Sequence, residues 1–239
     1  MLSAEERVAV PVTRRPETVA IRVWDLPTRV FHWALALSVA GSFTTGYIGG
    51  NAMTWHLRLG YVAFTLLLFR IVWGFVGGHW SQFRRFAYAP ATSLRYLRGR
   101  SRPEEHHDVG HNPLGAFSVY ALLLFLAAQV ATGLFADDEI ATTGPLNKFV
   151  AGKTASLLTG WHKDVGQRVI MVLVLLHIGA IAWYWLRCRR NLVGPMLSGD
   201  KALAADVPHS VDHMGSRMAA LAIVAAAAAF VTWLVGLGG

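Results

Sequence analysis

Residues 161–186 read WHKDVGQRVIMVLVLLHIGAIAWYWL. After Arg168 the run carries no formal charge until Arg187, and its one histidine is His177. About 20 mostly apolar residues make a helix long enough to cross a bilayer. A lipid-exposed span must satisfy its own backbone polar groups, so helix is the expected form. The stretch is therefore read as a membrane helix over 164–186 with one histidine at its mouth, His162, and one late in its length, His177.

Working outward, four more stretches have the same character: 30–49, 57–77, 115–135 and 217–236. The whole chain agrees. Of 239 residues, 54% are hydrophobic and only 15% charged, against about 25% charged in soluble domains. The expected fold class is an all-α membrane protein: a four-helix transmembrane bundle plus an additional C-terminal transmembrane helix. The expected division is an N-terminal extension over 1–29, the four-helix domain over 30–186, a linker over 187–216 and the fifth helix over 217–239. No apolar run precedes the first span within the acidic and arginine-bearing segment 1–29, so no signal peptide is read there. Segment 78–114 mixes Phe83, Arg84, Arg85 and Phe86 with Leu94, Arg95, Tyr96, Leu97 and Arg98, which suits an interfacial helix. Segment 136–163 is read as an outer loop opening on Asp137, Asp138 and Glu139.

The net charge of +8 has a topological meaning. Fifteen Lys and Arg residues fall in 1–29, 78–114 and 187–216, against Lys148, Lys153 and Lys163 on the other side. Positive residues stay inside, so the N-terminus is expected in the cytoplasm and the C-terminus outside. With the charge accounted for in this way, nucleic acid is not expected as a partner. Cys188 is the lone cysteine. That excludes an intramolecular disulfide, a cysteine-based zinc site and, with no C-x-x-C-H, covalent haem.

Four of the ten histidines lie in or at the mouth of a span: His32, His56, His162 and His177. Ionisable residues at membrane depth are rare and usually functional. By topology they form two pairs at matched depth, His56 with His162 near the outer face and His32 with His177 near the inner face. His162 and His177 are fifteen residues apart, about 22 Å along a straight α-helix and about 60° apart around it. One helix thus offers imidazoles at two levels, and each level has a partner on another helix. Bis-imidazole axial ligation of two b-type haems needs this arrangement. Zinc or copper would want more ligands converging at one level.

Small and basic residues fit the same reading. Trp55-His56-Leu57-Arg58-Leu59-Gly60 and Trp161-His162-Lys163-Asp164-Val165-Gly166 share W-H-x-x-x-G. That places Gly60 and Gly166 one turn deeper on the ligand face. Gly46 follows His32 by fourteen residues, and Gly133 follows Gly115 by eighteen, so both are expected to leave room for a macrocycle. Helix–helix packing is the simpler use of small residues. Arg58, Arg70 and Arg168 within spans each need a partner. Haem propionates supply one, at the outer level for Arg58 and Arg168 and at the inner level for Arg70. Snorkelling to the interface is the alternative for Arg58. His106, His107 and His111 are read as a solvated loop cluster, and His209, Asp212 and His213 as part of a polar linker.

At these residues the chain resembles bacterial cytochrome b561 and the cytochrome b subunit of Ni,Fe-hydrogenases. The resemblance covers about 24–187. It rests on Val23-Trp24-Asp25-Leu26-Pro27-Thr28-Arg29-Val30-Phe31-His32-Trp33, on His56 with Arg58 and Gly60, and on His111-Asn112-Pro113-Leu114-Gly115. Thr132-Gly133-Leu134-Phe135 and Gly144-Pro145-Leu146 complete it. The resemblance implies a four-helix bundle holding two haem b groups, with ligands from the first, second and fourth helices at His32, His56, His162 and His177. It also implies electron transfer between quinone and a redox partner, either a periplasmic c-type cytochrome or dehydrogenase or hydrogenase subunits. Two other classes stay open on sequence: a stand-alone quinone oxidoreductase acting on a small oxidant such as superoxide, and a haem-free scaffold or proton path.

Overall fold

The structure is a computed structural model that describes residues 18–102, 105, 107, 109–138, 142–203 and 207–238. Arg7, Arg14, Arg15, His106 and Glu139, all used in the sequence reading, lie outside the described residues. A short strand β1 (Val19–Arg22) leads into α1 (Leu26–Ile48). Asp25 caps α1 by accepting from the Thr28 backbone at 2.8 Å, and Pro27 sits in the first turn, where its missing N–H leaves no bond unmade. Gly49 and Gly50 carry φ of 67° and 54°. Glycine adopts these angles without penalty, and they reverse the chain into α2 (Met53–Val76).

After two short 3-10 turns comes α3 (Pro90–Leu97), the only α-helix described in the expected interfacial segment. Asn112 caps α4 (Pro113–Gly133) through the Gly115 backbone at 2.7 Å. The expected outer loop 136–163 is shorter than read. Helix α5 (Gly152–Gly160) starts within it and continues through a π turn, Trp161–Gly166, into α6 (Gln167–Leu186). Residues 152–186 thus form one 35-residue helical run, about 50 Å long at 1.5 Å per residue. The hydrocarbon core is about 30 Å thick, so one end stands outside it. Lys153, Thr154 and Ser156 make that the α5 end.

Among the described residues, four helices are long and apolar enough to cross a membrane: Gly50–Val76, Pro113–Gly133, Gly152–Leu186 and Met214–Gly236. Helix α1 has 23 residues, a spanning length, but serines, threonines and glycines dilute its apolar content. Helix α8 (Met214–Gly236) packs on α2, which also contacts α1 and α4, while α4 contacts α6. The shared core holds Phe31, Leu35, Ala63, Leu67, Phe69, Trp73, Leu126, Ile170 and Ala220. Outside it, large apolar side chains stand exposed on several helices, Leu37 and Phe117 at 72% and Leu176 at 65%. Such a surface is unstable in water and natural in lipid.

The extension and the linker are not separate strings. Strand β1 pairs antiparallel with β2 (Asp200–Leu203), Val19 opposite Leu203 and Arg22 opposite Asp200. The short helix α7 (Val193–Ser198) precedes β2. Arg22 pairs with Asp200 at 2.6 Å and Asp212 at 2.8 Å, and Arg217 at the head of α8 reaches Asp212 at 3.0 Å. His213 caps α8, its Nδ1 accepting from the Ser216 backbone at 3.1 Å. His209 Nδ1 accepts from the Arg22 backbone at 3.2 Å. A second apolar cluster of Ile21, Val23, Trp24, Val109, Leu203 and Val207 lies beneath this clasp.

Candidate functional site

Two histidine pairs form across helices. His56, in the first turn of α2, faces His162 on the π turn with ring centres 6.0 Å apart. His32 on α1 faces His177 on α6 at 6.4 Å. Two imidazoles sharing one metal through bonds of about 2.0–2.1 Å, with roughly 1.1 Å from each nitrogen to its ring centre, have centres about 6.2–6.4 Å apart. Both separations are close to that value.

Hydrogen bonds fix the tautomers of the first pair. His56 Nδ1 donates to the Ser42 carbonyl at 2.9 Å, and His162 Nδ1 donates to the Gln129 carbonyl at 2.9 Å. A carbonyl only accepts, so each Nδ1 carries the proton and each Nε2 keeps its lone pair. Metal-bound histidines are held in this way. His162 rides on the only π turn among the described residues, a feature that recurs at functional sites. Gln129 Nε2 donates to the His162 carbonyl at 2.9 Å and holds the widened turn. In the second pair, His32 Nδ1 is buried and unpartnered.

A cavity of about 540 Å³ opens beside the His56–His162 pair, within the usual range for cofactor pockets of about 300–1,000 Å³. Gly46, Gly60 and Gly133 line it, with Val39, Leu126 and Ile170 on its apolar wall and Asp137, Asp138, Lys163 and Asp164 among its polar residues. The glycines act differently from one another. A Cβ on Gly46 would stand 3.0 Å from His56 Nδ1, and one on Gly133 would stand 2.8 Å from His162 Cε1. These two make room for the imidazoles. A Cβ on Gly60 would meet nothing within 4 Å, so Gly60 leaves open volume. Gly166 does not face the cavity: its Cβ would strike Gln129 Oε1 and the Trp161 ring, a packing requirement. The π turn re-phases the helix between His162 and Gly166, which the straight-helix reading did not include.

The three arginines separate. Arg58 is exposed with its guanidinium 5.0 Å over the Trp55 ring. Arg168 is exposed and paired with Asp164 at 3.6 Å. Neither lines the cavity. Arg70 is 3% exposed, donates from Nη2 to the Ser81 carbonyl at 2.9 Å, lies 4.5 Å over the Phe83 ring and leaves Nη1 buried without a partner.

Two residues at this end were quoted for the resemblance but given no role in the site by the sequence reading. Asp25 is fully buried and accepts from Thr28 N, Trp73 Nε1 at 3.1 Å and Ser81 Oγ at 2.7 Å. Its place before Leu26-Pro27 is a helix-cap signal. His111, read as solvated, is packed between Trp24 at 4.8 Å and Phe86 at 4.6 Å, with Nδ1 buried and unpartnered. No local signal marks it, since its neighbours come from distant parts of the chain. His107 lies against Tyr88 and Tyr96 and pairs with Glu105 at 3.3 Å.

The family described as prokaryotic cytochrome b561 matches residues 23–199. A probable Ni/Fe-hydrogenase B-type cytochrome subunit of Bradyrhizobium diazoefficiens is 25% identical over 215 residues, covering 76% of this chain and 85% of that protein. The corresponding protein of Cupriavidus necator is 27% identical over 214 residues, with 75% and 86% covered. The probable Ni/Fe-hydrogenase 1 B-type cytochrome subunit of Escherichia coli is 26% identical over 192 residues, with 65% and 80% covered. No solved structure matches.

Proposed function

The chain belongs to the prokaryotic cytochrome b561 family, and from that premise we propose that it is a di-haem membrane cytochrome passing electrons between quinone and a redox partner. The observation that carries the reading is the pair of facing histidine couples at 6.0 and 6.4 Å. The family and the four apolar helices make the chain an integral membrane protein. The relatives are named as hydrogenase cytochrome subunits, which favours a hydrogenase-like dehydrogenase as partner over a c-type cytochrome. The basic excess of the loops supports an inner-membrane location with a cytoplasmic N-terminus. The haem domain is proposed over 30–186, with a fifth spanning helix over 217–239.

His56 and His162 would hold one haem b, and His32 and His177 the other. Bound haem supplies reversible one-electron chemistry at two depths of the bilayer, as a carrier between membrane quinone and an external partner requires. The remaining work belongs to the protein. The Ser42 and Gln129 carbonyls orient two ligand rings, Gly46 and Gly133 give them space, and Gly60 leaves volume beside them. Arg70, 3% exposed, would offer a buried positive charge to a propionate.

The test is a pyridine haemochrome assay on the detergent-purified full chain. Two haem b per polypeptide are expected, falling toward one in His56→Ala and in His32→Ala. A folded preparation without haem would overturn the proposal and favour a scaffold or proton path.

A further inference from the structure

Six buried side-chain nitrogen or oxygen atoms lack a hydrogen-bond partner among the described residues, and His32 Nδ1, Arg70 Nη1 and His111 Nδ1 are three of them. His111 lies within electrostatic reach of Arg70, His177 and His32. Orphaned buried polar atoms are rare and need an explanation.

Arg70 is the more demanding of the group. A cation at 3% exposure requires a counter-charge, because desolvating an unpaired ion is costly. Asp25 is within electrostatic reach, but its oxygens are already engaged by Thr28, Trp73 and Ser81. No ion pair to Arg70 forms among the described residues. The carbonyl of Ser81 and the face of Phe83 supply partial charge only.

His111 is held in place. Trp24 and Phe86 pack on its ring, and the Tyr88 hydroxyl donates to its carbonyl at 2.7 Å. Phe86 in turn packs on Phe83, the ring beneath Arg70, at 5.9 Å. One aromatic wall therefore supports both groups. A fixed imidazole and a fixed guanidinium, each with an unused buried nitrogen, make a site preorganised for an acceptor oxygen.

We propose that Arg70 and His111 form one buried two-donor cradle for a carboxylate, and that the carboxylate is a propionate of the haem held by His32 and His177. The inference rests on the di-haem reading and extends it to His111. A quinone carbonyl is the other acceptor of suitable shape. It is neutral and would leave the Arg70 charge unbalanced, so the anion is favoured.

The test uses the full chain in nanodiscs with His111→Leu and His111→Gln, the second keeping a donor and also controlling for misfolding. Three readouts are taken: haem per chain, a redox titration of both haems, and reduced-minus-oxidised infrared spectra with haem labelled at the propionate carbons. The expected result for His111→Leu is two haems retained, the midpoint potential of one haem lowered and the other unchanged, with a shift of the labelled carboxylate bands. The potential falls because a propionate with less compensation favours the ferric state. His111→Gln should restore much of both changes. Unchanged midpoints and carboxylate bands in His111→Leu would overturn the cradle, and slowed quinone reaction in that same protein would assign the donor to quinone. Absence of haem from the unsubstituted chain would instead overturn the di-haem reading on which the cradle stands.

Discussion

His162 and Gln129 hold each other through both ends: the imidazole Nδ1 donates to the Gln129 carbonyl and the Gln129 amide donates to the His162 carbonyl, each at 2.9 Å. The first bond fixes the ring and its tautomer. The second steadies the π turn on which the ring is carried. Gln129→Leu keeps the first bond, which uses the backbone, and removes the second. A neutral hydrogen bond contributes about 1 kcal/mol net, so haem affinity at the His56–His162 pair should weaken about fivefold. Titration of the haem-depleted chain with hemin reads this directly. Unaltered affinity would show that the π turn holds its shape without Gln129.

Glycine substitutions separate room for the ligand from room for the cofactor. In Gly133→Ala the new methyl falls 2.8 Å from His162 Cε1, so the ring must shift and its bond to Gln129 weakens. Haem per chain should drop from two toward one. In Gly60→Ala the methyl meets no protein atom within 4 Å, so the haem-depleted chain should melt within about 0.5 kcal/mol of the parent while haem occupancy still falls. Two haems with unaltered spectra in Gly60→Ala would remove Gly60 from the cofactor wall.

Asp25→Ala tests the buried polar junction where α1, α2 and the following turn meet. Asp25 is fully buried and accepts from three donors, the Thr28 backbone, the Trp73 indole and the Ser81 hydroxyl. Its removal takes away a helix cap and strands donors away from water, which together cost about 3–5 kcal/mol. The expected outcome is a large drop in the thermal midpoint in detergent. Asp25→Asn should cost less, since its side-chain oxygen still caps α1. A parent-like midpoint for Asp25→Ala would mean that water replaces the carboxylate at no cost.

The histidine pairs were legible because depth in a membrane is a one-dimensional coordinate that sequence records well. Length, charge placement and span position put His56 level with His162 and His32 level with His177 before any contact was known. Rotation about the helix axis was less legible. An even 100° per residue carries from His162 to Gly166 only if the helix is regular, and the π turn over Trp161–Gly166 breaks that count, turning Gly166 onto Gln129. The clasp was not legible. Strands of four residues, 19–22 and 200–203, are too short to show alternation, and nothing local ties Arg22 to residues 178 and 190 positions later. His111 failed for the same reason: hydrophilic neighbours in sequence masked the aromatic neighbours in space.

The clasp should open in acid. Burial works to raise the Asp212 carboxyl, but hydrogen bonds from Arg217, the Leu26 backbone and Arg22 outweigh it and hold the group below its ordinary value of 3.8. In the nearby loop, the Arg102 backbone and Arg95 hold the Glu105 carboxyl down to about 2. For a depressed carboxylate, the stabilisation is complete above the unfolded-state value and is lost as pH falls through the folded one. These two carboxylates should therefore cause no loss of protection above about pH 5, and below about pH 4 protection should fall steadily. Hydrogen exchange on residues 19–22 and 200–203, quenched after labelling across this range, reads the change. Asp212→Asn should expose the same amides already at pH 7, because Arg22 and Arg217 lose their shared anion; at 30% and 39% side-chain exposure both are then partly rehydrated, which limits the loss to about 1–2 kcal/mol. The spanning helices carry none of these carboxylates, so protection of α2 and α4 should stay flat through the same titration; parallel loss there would mean that the clasp and the bundle unfold as one unit.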